Sequence, residues 1–190
     1  MNRDNTVFEA DLTETGADLR GHFLLTTGYH SPRFFLMARL GEYPERMDRW
    51  AEALAQLLHP YPAKTLVGAA LGGIIPAYAT AAQSHRRVLI AEKTADGRMA
   101  LPPNSLESGE PVIVIEDAVA TGSSIQKVMR AVETQGGVVV AIGALVHRGS
   151  TISWPVPYRP VFALQEPVAM WTPECCPLCR DGVPLTKPKT

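Results

Sequence analysis

Apolar residues along this chain keep two habits: short unbroken runs rich in β-branched residues, and stretches that repeat every three to four positions. The unbroken runs are 65–71, 87–91, 112–115, 138–146 and 160–164. A run that is apolar throughout fits a parallel strand buried on both faces. Between the runs lie helical patterns. In 44–58, Trp50, Ala53, Leu54, Leu57 and Leu58 share a face, and Pro60 and Pro62 end it. After Gly72-Gly73, Ile74, Ile75, Tyr78, Ala79 and Ala82 form the apolar positions of a second helix. In a third, Ile125, Val128, Met129 and Val132 recur at i, i+3, i+4 and i+7, with Ser123 or Ser124 as cap and Gly136-Gly137 as stop. Strands interleaved with helices predict a parallel α/β sheet, with ligands bound beyond the strand carboxyl ends.

The remaining stretches read differently. Residues 4–20 suggest a helix and connector, and 21–40 two short strands around a turn, punctuated by Gly28 and Pro32. The aromatic pair Phe34-Phe35 beside His30-Ser31-Pro32-Arg33 suits stacking on a flat ring. Residues 93–109 are polar, contain glycine and two prolines, and lack a helical period. A loop of that length in a compact domain is usually functional or disordered. We expect one domain over 1–190: segment 1–40, a mobile loop at 93–109 and a cysteine-containing tail at 171–190.

Composition narrows the classes. With 18 basic and 19 acidic residues and a formal charge of −1, nothing suggests a nucleic-acid partner. No apolar run reaches a membrane span and the N-terminus has no signal-peptide core, so a soluble cytoplasmic protein is expected. All three cysteines, Cys175, Cys176 and Cys179, lie in the tail, which argues against a disulfide framework. Cys176-Pro-Leu-Cys179 has the spacing of half a zinc knuckle. No second cysteine pair or histidine cluster is visible to complete it, so no metal ligands are assigned; a partner copy could supply the rest.

The candidate chemistry centres on 112–124. An apolar strand ends in Glu116-Asp117, a small-residue loop follows, and a helix begins. Free amides from Thr121 to Ser124 at a helix start favour an anion such as phosphate. The carboxylates would repel phosphate and suit neighbouring hydroxyls or Mg²⁺ instead. Gly72-Gly73 offers a second close approach of backbone to an anion.

Strand, acidic pair and Thr/Gly/Ser loop resemble the phosphoribosyl-pyrophosphate signature of the type I phosphoribosyltransferases. GHFLL-TTG-HSP-FF and the tail CPLC-R-G-PL-KP further resemble the orotate branch. The resemblance implies a Rossmann-like sheet with residues 1–40 as a hood over the base, and transfer of ribose 5-phosphate from phosphoribosyl pyrophosphate to orotate in pyrimidine biosynthesis. It implies that Ala120, Thr121, Gly122, Ser123 and Ser124 hold the 5′-phosphate region, and Glu116 and Asp117 the ribose hydroxyls. Leu71, Gly72 and Gly73 would meet the pyrophosphate, Lys93 and Arg98 would close over it, and Phe34, Phe35 and Arg148 would hold the base. It also implies Mg²⁺ carried mainly by the pyrophosphate, and a homodimer with the loop acting on the partner's site. Three departures from the family pattern stand out: Thr26 replaces a lysine, Ala120 a threonine, and Pro102-Pro103-Asn104 basic loop residues. A purine-specific transferase and a non-catalytic sensor of phosphoribosyl pyrophosphate are the alternatives.

Overall fold

In a computed structural model of the chain, residues 5–149, 156 and 160–188 are described. The first four residues, 150–155, 157–159 and the last two of the tail lie outside that set. The chain opens with α1 (Thr6–Glu14), then β1 (Asp18–Leu24) and β2 (His30–Phe35) as an antiparallel hairpin, as the turn residues predicted. A short helix that the sequence did not announce, α2 (Met37–Gly41), leads into α3 (Pro44–Leu58), whose bounds match the periodicity. Then come β3 (Thr65–Ala69), α4 (Ile74–Ser84), β4 (Arg87–Lys93), β5 (Met99–Ala100), β6 (Pro111–Val119), α5 (Ser123–Thr134), β7 (Val138–His147) and β8 (Val161–Gln165). A 3-10 turn at Pro173–Cys175 and a single helical turn, α6 (Pro177–Arg180), shape the tail.

The main sheet runs β5-β4-β3-β6-β7-β8, parallel except for β5, which folds back on β4. Its two faces carry separate cores. Trp50, Leu54 and Leu58 of α3, with Ala77 and Ala81 of α4, pack over Leu66, Ile113 and Leu145. On the other face Ile125, Val128 and Val132 of α5 cover Val67, Val112 and Ile142. Neighbouring side chains on a strand go to opposite faces, which is why these strands read as unbroken apolar runs.

Two expectations are corrected. Pro76, Ala77, Thr80 and Ala81 join the expected Ala79 on the buried side of α4, whereas Ile75, Tyr78 and Ala82 are exposed and Ile74 is half-buried. Small residues win this face because β3 comes too close for larger ones: a Cβ on Gly68 would strike Ala77. Within 93–109 there is also a hairpin, since β5 pairs Met99 with Lys93 and Ala100 with Glu92.

Candidate active site

Strand β6 outruns its neighbour β3. Their pairing stops at Gly68 opposite Ile115, while β6 continues beside β7 as far as Val119 opposite His147. Glu116 and Asp117 therefore belong to the strand's final turn-ward residues rather than to the loop beyond. They sit beside the segment Ala70–Gly73 that leaves the C-terminal end of β3. Gly72 lies directly against Asp117: a Cβ there would overlap the Asp117 carboxylate. Gly73 is packed against the Ala69 backbone and the Ile115 carbonyl, so neither position has space for a side chain. Leu71, between them and the strand, is 83% exposed.

The two carboxylates have little compensation. The Asp117 N–H donates to Glu116 Oε1 at 3.2 Å, and the Ala118 N–H to Asp117 Oδ1 at 2.6 Å. Burial, then the neighbouring Asp117 charge, pushes the Glu116 carboxyl well above its ordinary range. Burial raises Asp117 too, against the pull of the Ala118 amide. Such a pair gains from a partner that donates hydrogen bonds, such as a diol, or that carries positive charge.

After Val119 the chain turns through Ala120-Thr121-Gly122 into α5. Gly122, not a serine, occupies the N-cap, with φ +76°. Left-handed backbone costs a side-chain-bearing residue about 1–2 kcal/mol, so the reversal selects glycine. Ser123 and Ser124 consequently fall inside the first turn, exposed, with no side-chain cap bond made at this terminus. The first helical bond runs from the Gln126 N–H to the Gly122 carbonyl at 3.0 Å, leaving the amides ahead of it without helical partners. An uncapped helix start with two outward hydroxyls has the donors and dipole that suit an anion.

Arg148 follows β7 and is almost completely buried, 4% exposed. Its Nη2 donates to Ser31 Oγ and to the Arg33 carbonyl, each at 2.8 Å, and its Nε has no partner among the described residues. Burial, and then the nearby Arg33 charge, lowers its pKa to about 10, so the cation persists at neutral pH without a carboxylate beside it. Arg33, by contrast, is paired with both Asp18 and Glu166. The two guanidinium carbons lie 4.7 and 5.7 Å from the centre of the Phe35 ring, so that ring is a platform for arginines within the core. Phe34 is half-buried and packs against Phe23, with centroids 6.0 Å apart. Thr26 lies at the exposed hairpin tip.

Lys93 and Arg98 are not brought to the acidic pair. Both are exposed, and the Arg98 guanidinium is held by Asp96 at 2.7 Å. The hairpin instead leans on α5, where Lys127 Nζ reaches the Gly97 carbonyl and Gln135 Nε2 donates to the Leu101 and Pro102 carbonyls.

A further grouping escaped the sequence reading. His22, His30, Cys176 and Cys179 place one ligand atom each within 4.8 Å of one another. The half-knuckle therefore has histidine partners within this chain. They went unseen because 154 residues separate His22 from Cys176, and two histidines eight apart in a hairpin carry no metal-site spacing of their own.

The chain as a whole is similar to known proteins in sequence and in fold. The phosphoribosyl transferase domain model matches residues 40–171. An orotate phosphoribosyltransferase of Thermotoga maritima is 41% identical over 179 residues, covering 93% of this chain and 94% of that one. One from Thermus thermophilus is 39% identical over 90% of this chain and 93% of its own. Among solved structures, orotate phosphoribosyltransferase of Mycobacterium tuberculosis superposes with a TM-score of 0.64 at 20% identity, over 84% of this chain and 95% of that one.

Proposed function

Because the chain belongs to the phosphoribosyltransferase family, alongside orotate phosphoribosyltransferases that match it almost end to end, we propose that it joins orotate to phosphoribosyl pyrophosphate, yielding orotidine 5′-monophosphate and pyrophosphate. The observation that carries the choice of base is Arg148: a buried guanidinium with no carboxylate partner and an unbonded Nε among the described residues is matched in charge by the carboxylate of orotate, whereas uracil and the purines offer it only neutral acceptors.

The residues divide the work by position. Thr121 to Ser124, with Ala120 leading into them, receive the 5′-phosphate at the start of α5. Glu116 and Asp117 accept hydrogen bonds from the ribose 2′- and 3′-hydroxyls, which offsets their crowding. Leu71, Gly72 and Gly73 present backbone to the pyrophosphate. Arg148 and Phe34 hold the base, with Phe35 supporting Arg148 from beneath. Orotate N1 attacks the anomeric carbon as the bond to pyrophosphate breaks. Positive charge develops on the ribose and negative charge on the leaving group, so positioning and electrostatics do most of the catalysis. The oxygen donors of Glu116 and Asp117 also fit Mg²⁺, which when bound with the pyrophosphate neutralises its departing charge.

Closure of the segment 93–109 would bring Lys93 and Arg98 over the pyrophosphate, and Arg98 would exchange Asp96 for it. Support for a homodimer comes from the exposed apolar row Leu71, Ile75 and Tyr78, beside the site and on the solvent side of α4. Its three unbridged cysteines fit a cytoplasmic setting.

The test is an assay of purified protein with phosphoribosyl pyrophosphate and Mg²⁺ against orotate, uracil, adenine, guanine and hypoxanthine. Orotate should be consumed far faster than any of the other bases. Turnover of a purine but not orotate would overturn the choice of base, and binding without turnover would make the protein a sensor.

A further inference from the structure

We propose that His22, His30, Cys176 and Cys179 bind one structural Zn²⁺ that staples the C-terminal tail to the N-terminal hairpin. The four groups come from three places: His22 from β1, His30 from the start of β2, and the two cysteines from the N-cap and third residue of α6. Zinc bonds of about 2.0–2.1 Å to nitrogen and 2.3 Å to sulfur put tetrahedral ligands about 3.3 Å apart for N–N and about 3.6 Å for N–S. Here His22 Nε2 and His30 Nδ1 are 2.9 Å apart. Cys176 Sγ is 3.4 Å from His22 Nε2, and Cys179 Sγ is 3.7 Å from His22 Nε2 and 3.2 Å from His30 Nδ1. Four of the six edges of a zinc tetrahedron are thus matched to within about 0.4 Å, and the other two are no longer than 4.8 Å.

Hydrogen bonding alone explains the cluster poorly. His22 Nδ1 lies 2.8 Å from the Val183 carbonyl, which only accepts, so that nitrogen carries the proton and Nε2 presents its lone pair inward. Three groups then converge on a single lone pair. A cation at the centre gives all four ligands a common target, and the Val183 contact becomes the outer bond that orients a ligating histidine. Two thiolates with two imidazoles in a closed tetrahedron suit zinc over harder cations.

The tail also needs such a fastening. Among residues 166–188 Cys176 is the one fully buried position, and the apolar hold on the segment is otherwise limited to half-buried residues such as Val168. Its backbone nonetheless bridges the hairpin on both sides of the cluster: His30 exchanges hydrogen bonds with Trp171, and Thr186 bonds to His22 and Leu24. The consequence for catalysis rests on the function proposed above. His30 immediately precedes Ser31, which receives Arg148 Nη2, so the ion would fix the hairpin that frames the base.

The experiment is metal analysis of the full-length protein purified from zinc-supplemented cells, followed by chelation under reductant and titration with Co²⁺. About one zinc per chain is expected. Co²⁺ should give thiolate charge-transfer absorption and the strong visible bands of a tetrahedral site. The double variant Cys176→Ser/Cys179→Ser should lose both, and Cys175→Ser should keep both. Substoichiometric zinc together with no cobalt–thiolate band in the wild-type chain would overturn the proposal without reliance on any variant, as would a Cys176–Cys179 disulfide persisting under reductant. A zinc-loaded protein that ignores orotate would leave the metal site standing and sink the function instead.

Discussion

Removing the Arg148 fork without collapsing its surroundings isolates base recognition. Arg148→Met keeps the aliphatic stem over Phe35 but deletes the guanidinium that reaches Ser31 Oγ and the Arg33 carbonyl. In the free protein that cation is buried among neutral acceptors, with Arg33 the charge that depresses it, so an arriving carboxylate converts an unpaired buried charge into a pair. Losing one partner of a buried pair costs about 3–5 kcal/mol. At 1.4 kcal/mol per factor of ten, kcat/KM for orotate should fall by about two to three and a half orders of magnitude. The hairpin strap is lost as well, and Ser31→Ala measures that contribution separately, at about 0.5–1.5 kcal/mol for one hydrogen bond. Initial rates with orotate and with uracil, for wild type and both variants, give the discriminating ratio. Arg148→Met should collapse the preference for orotate, whereas Ser31→Ala should weaken both bases together. An unchanged orotate-to-uracil ratio in Arg148→Met would refute the pairing.

Other perturbations test the remaining parts. Asp117→Asn should lower kcat/KM for phosphoribosyl pyrophosphate by about one to two orders of magnitude, the loss of a charged hydrogen bond of about 1.5–3 kcal/mol, with no loss of Tm; unchanged kinetics would make the pair structural only. Gly72→Ala pushes a methyl into the Asp117 carboxylate and should mimic that variant in kinetics, which steady-state assays read directly. Glu116 holds its proton in the folded state above the range where the unfolded chain loses it, so stability falls as pH rises through that window. Glu116→Gln should therefore raise the ligand-free Tm above the ordinary glutamate range and leave it unchanged below; a pH-independent difference would contradict this. Limited trypsin digestion should cut first at Arg98, whose side chain is 83% exposed, and phosphoribosyl pyrophosphate with Mg²⁺ should protect it. Equal resistance without ligand would count against closure.

What the sequence disclosed, and what it hid, follows from the range of the forces involved. The inner strands were legible because burial on both faces leaves no polar alternation to confuse. Helix α3 was legible because Pro44 starts it and its apolar stripe is narrow. In α4 nearly every position is apolar or small, so periodicity could not say which side packs; the close approach at Gly68 decided it. The serine pair after Gly122 imitates a helix cap, and only the backbone dihedral reveals that glycine takes that place. The acidic pair and the phosphate loop are contiguous in sequence and were found together. The two histidines facing the tail cysteines are joined only by folding, and no local pattern could pair them.

The two segments proposed to hold the base and the phosphate are built against each other through backbone. The Arg148 N–H donates to the Val119 carbonyl at 2.8 Å, at the last residue of β6 before the phosphate loop. One residue on, a Cβ at Gly149 would collide with the Ala120 carbonyl, so glycine is needed for this approach. Position 120 thus meets the base-binding segment through its carbonyl. This contact is made by backbone alone, so alanine can stand at position 120, where the family pattern described above has threonine, without loosening the frame. The same logic extends outward. Arg148 is tied to Ser31, Ser31 donates to the Ala169 carbonyl, and His30 bonds to Trp171, so the hairpin, the tail and the phosphate loop share one hydrogen-bonded path. If Arg148 holds the base as proposed, a perturbation at the tail should therefore appear first in orotate binding and only afterwards in the affinity for phosphoribosyl pyrophosphate.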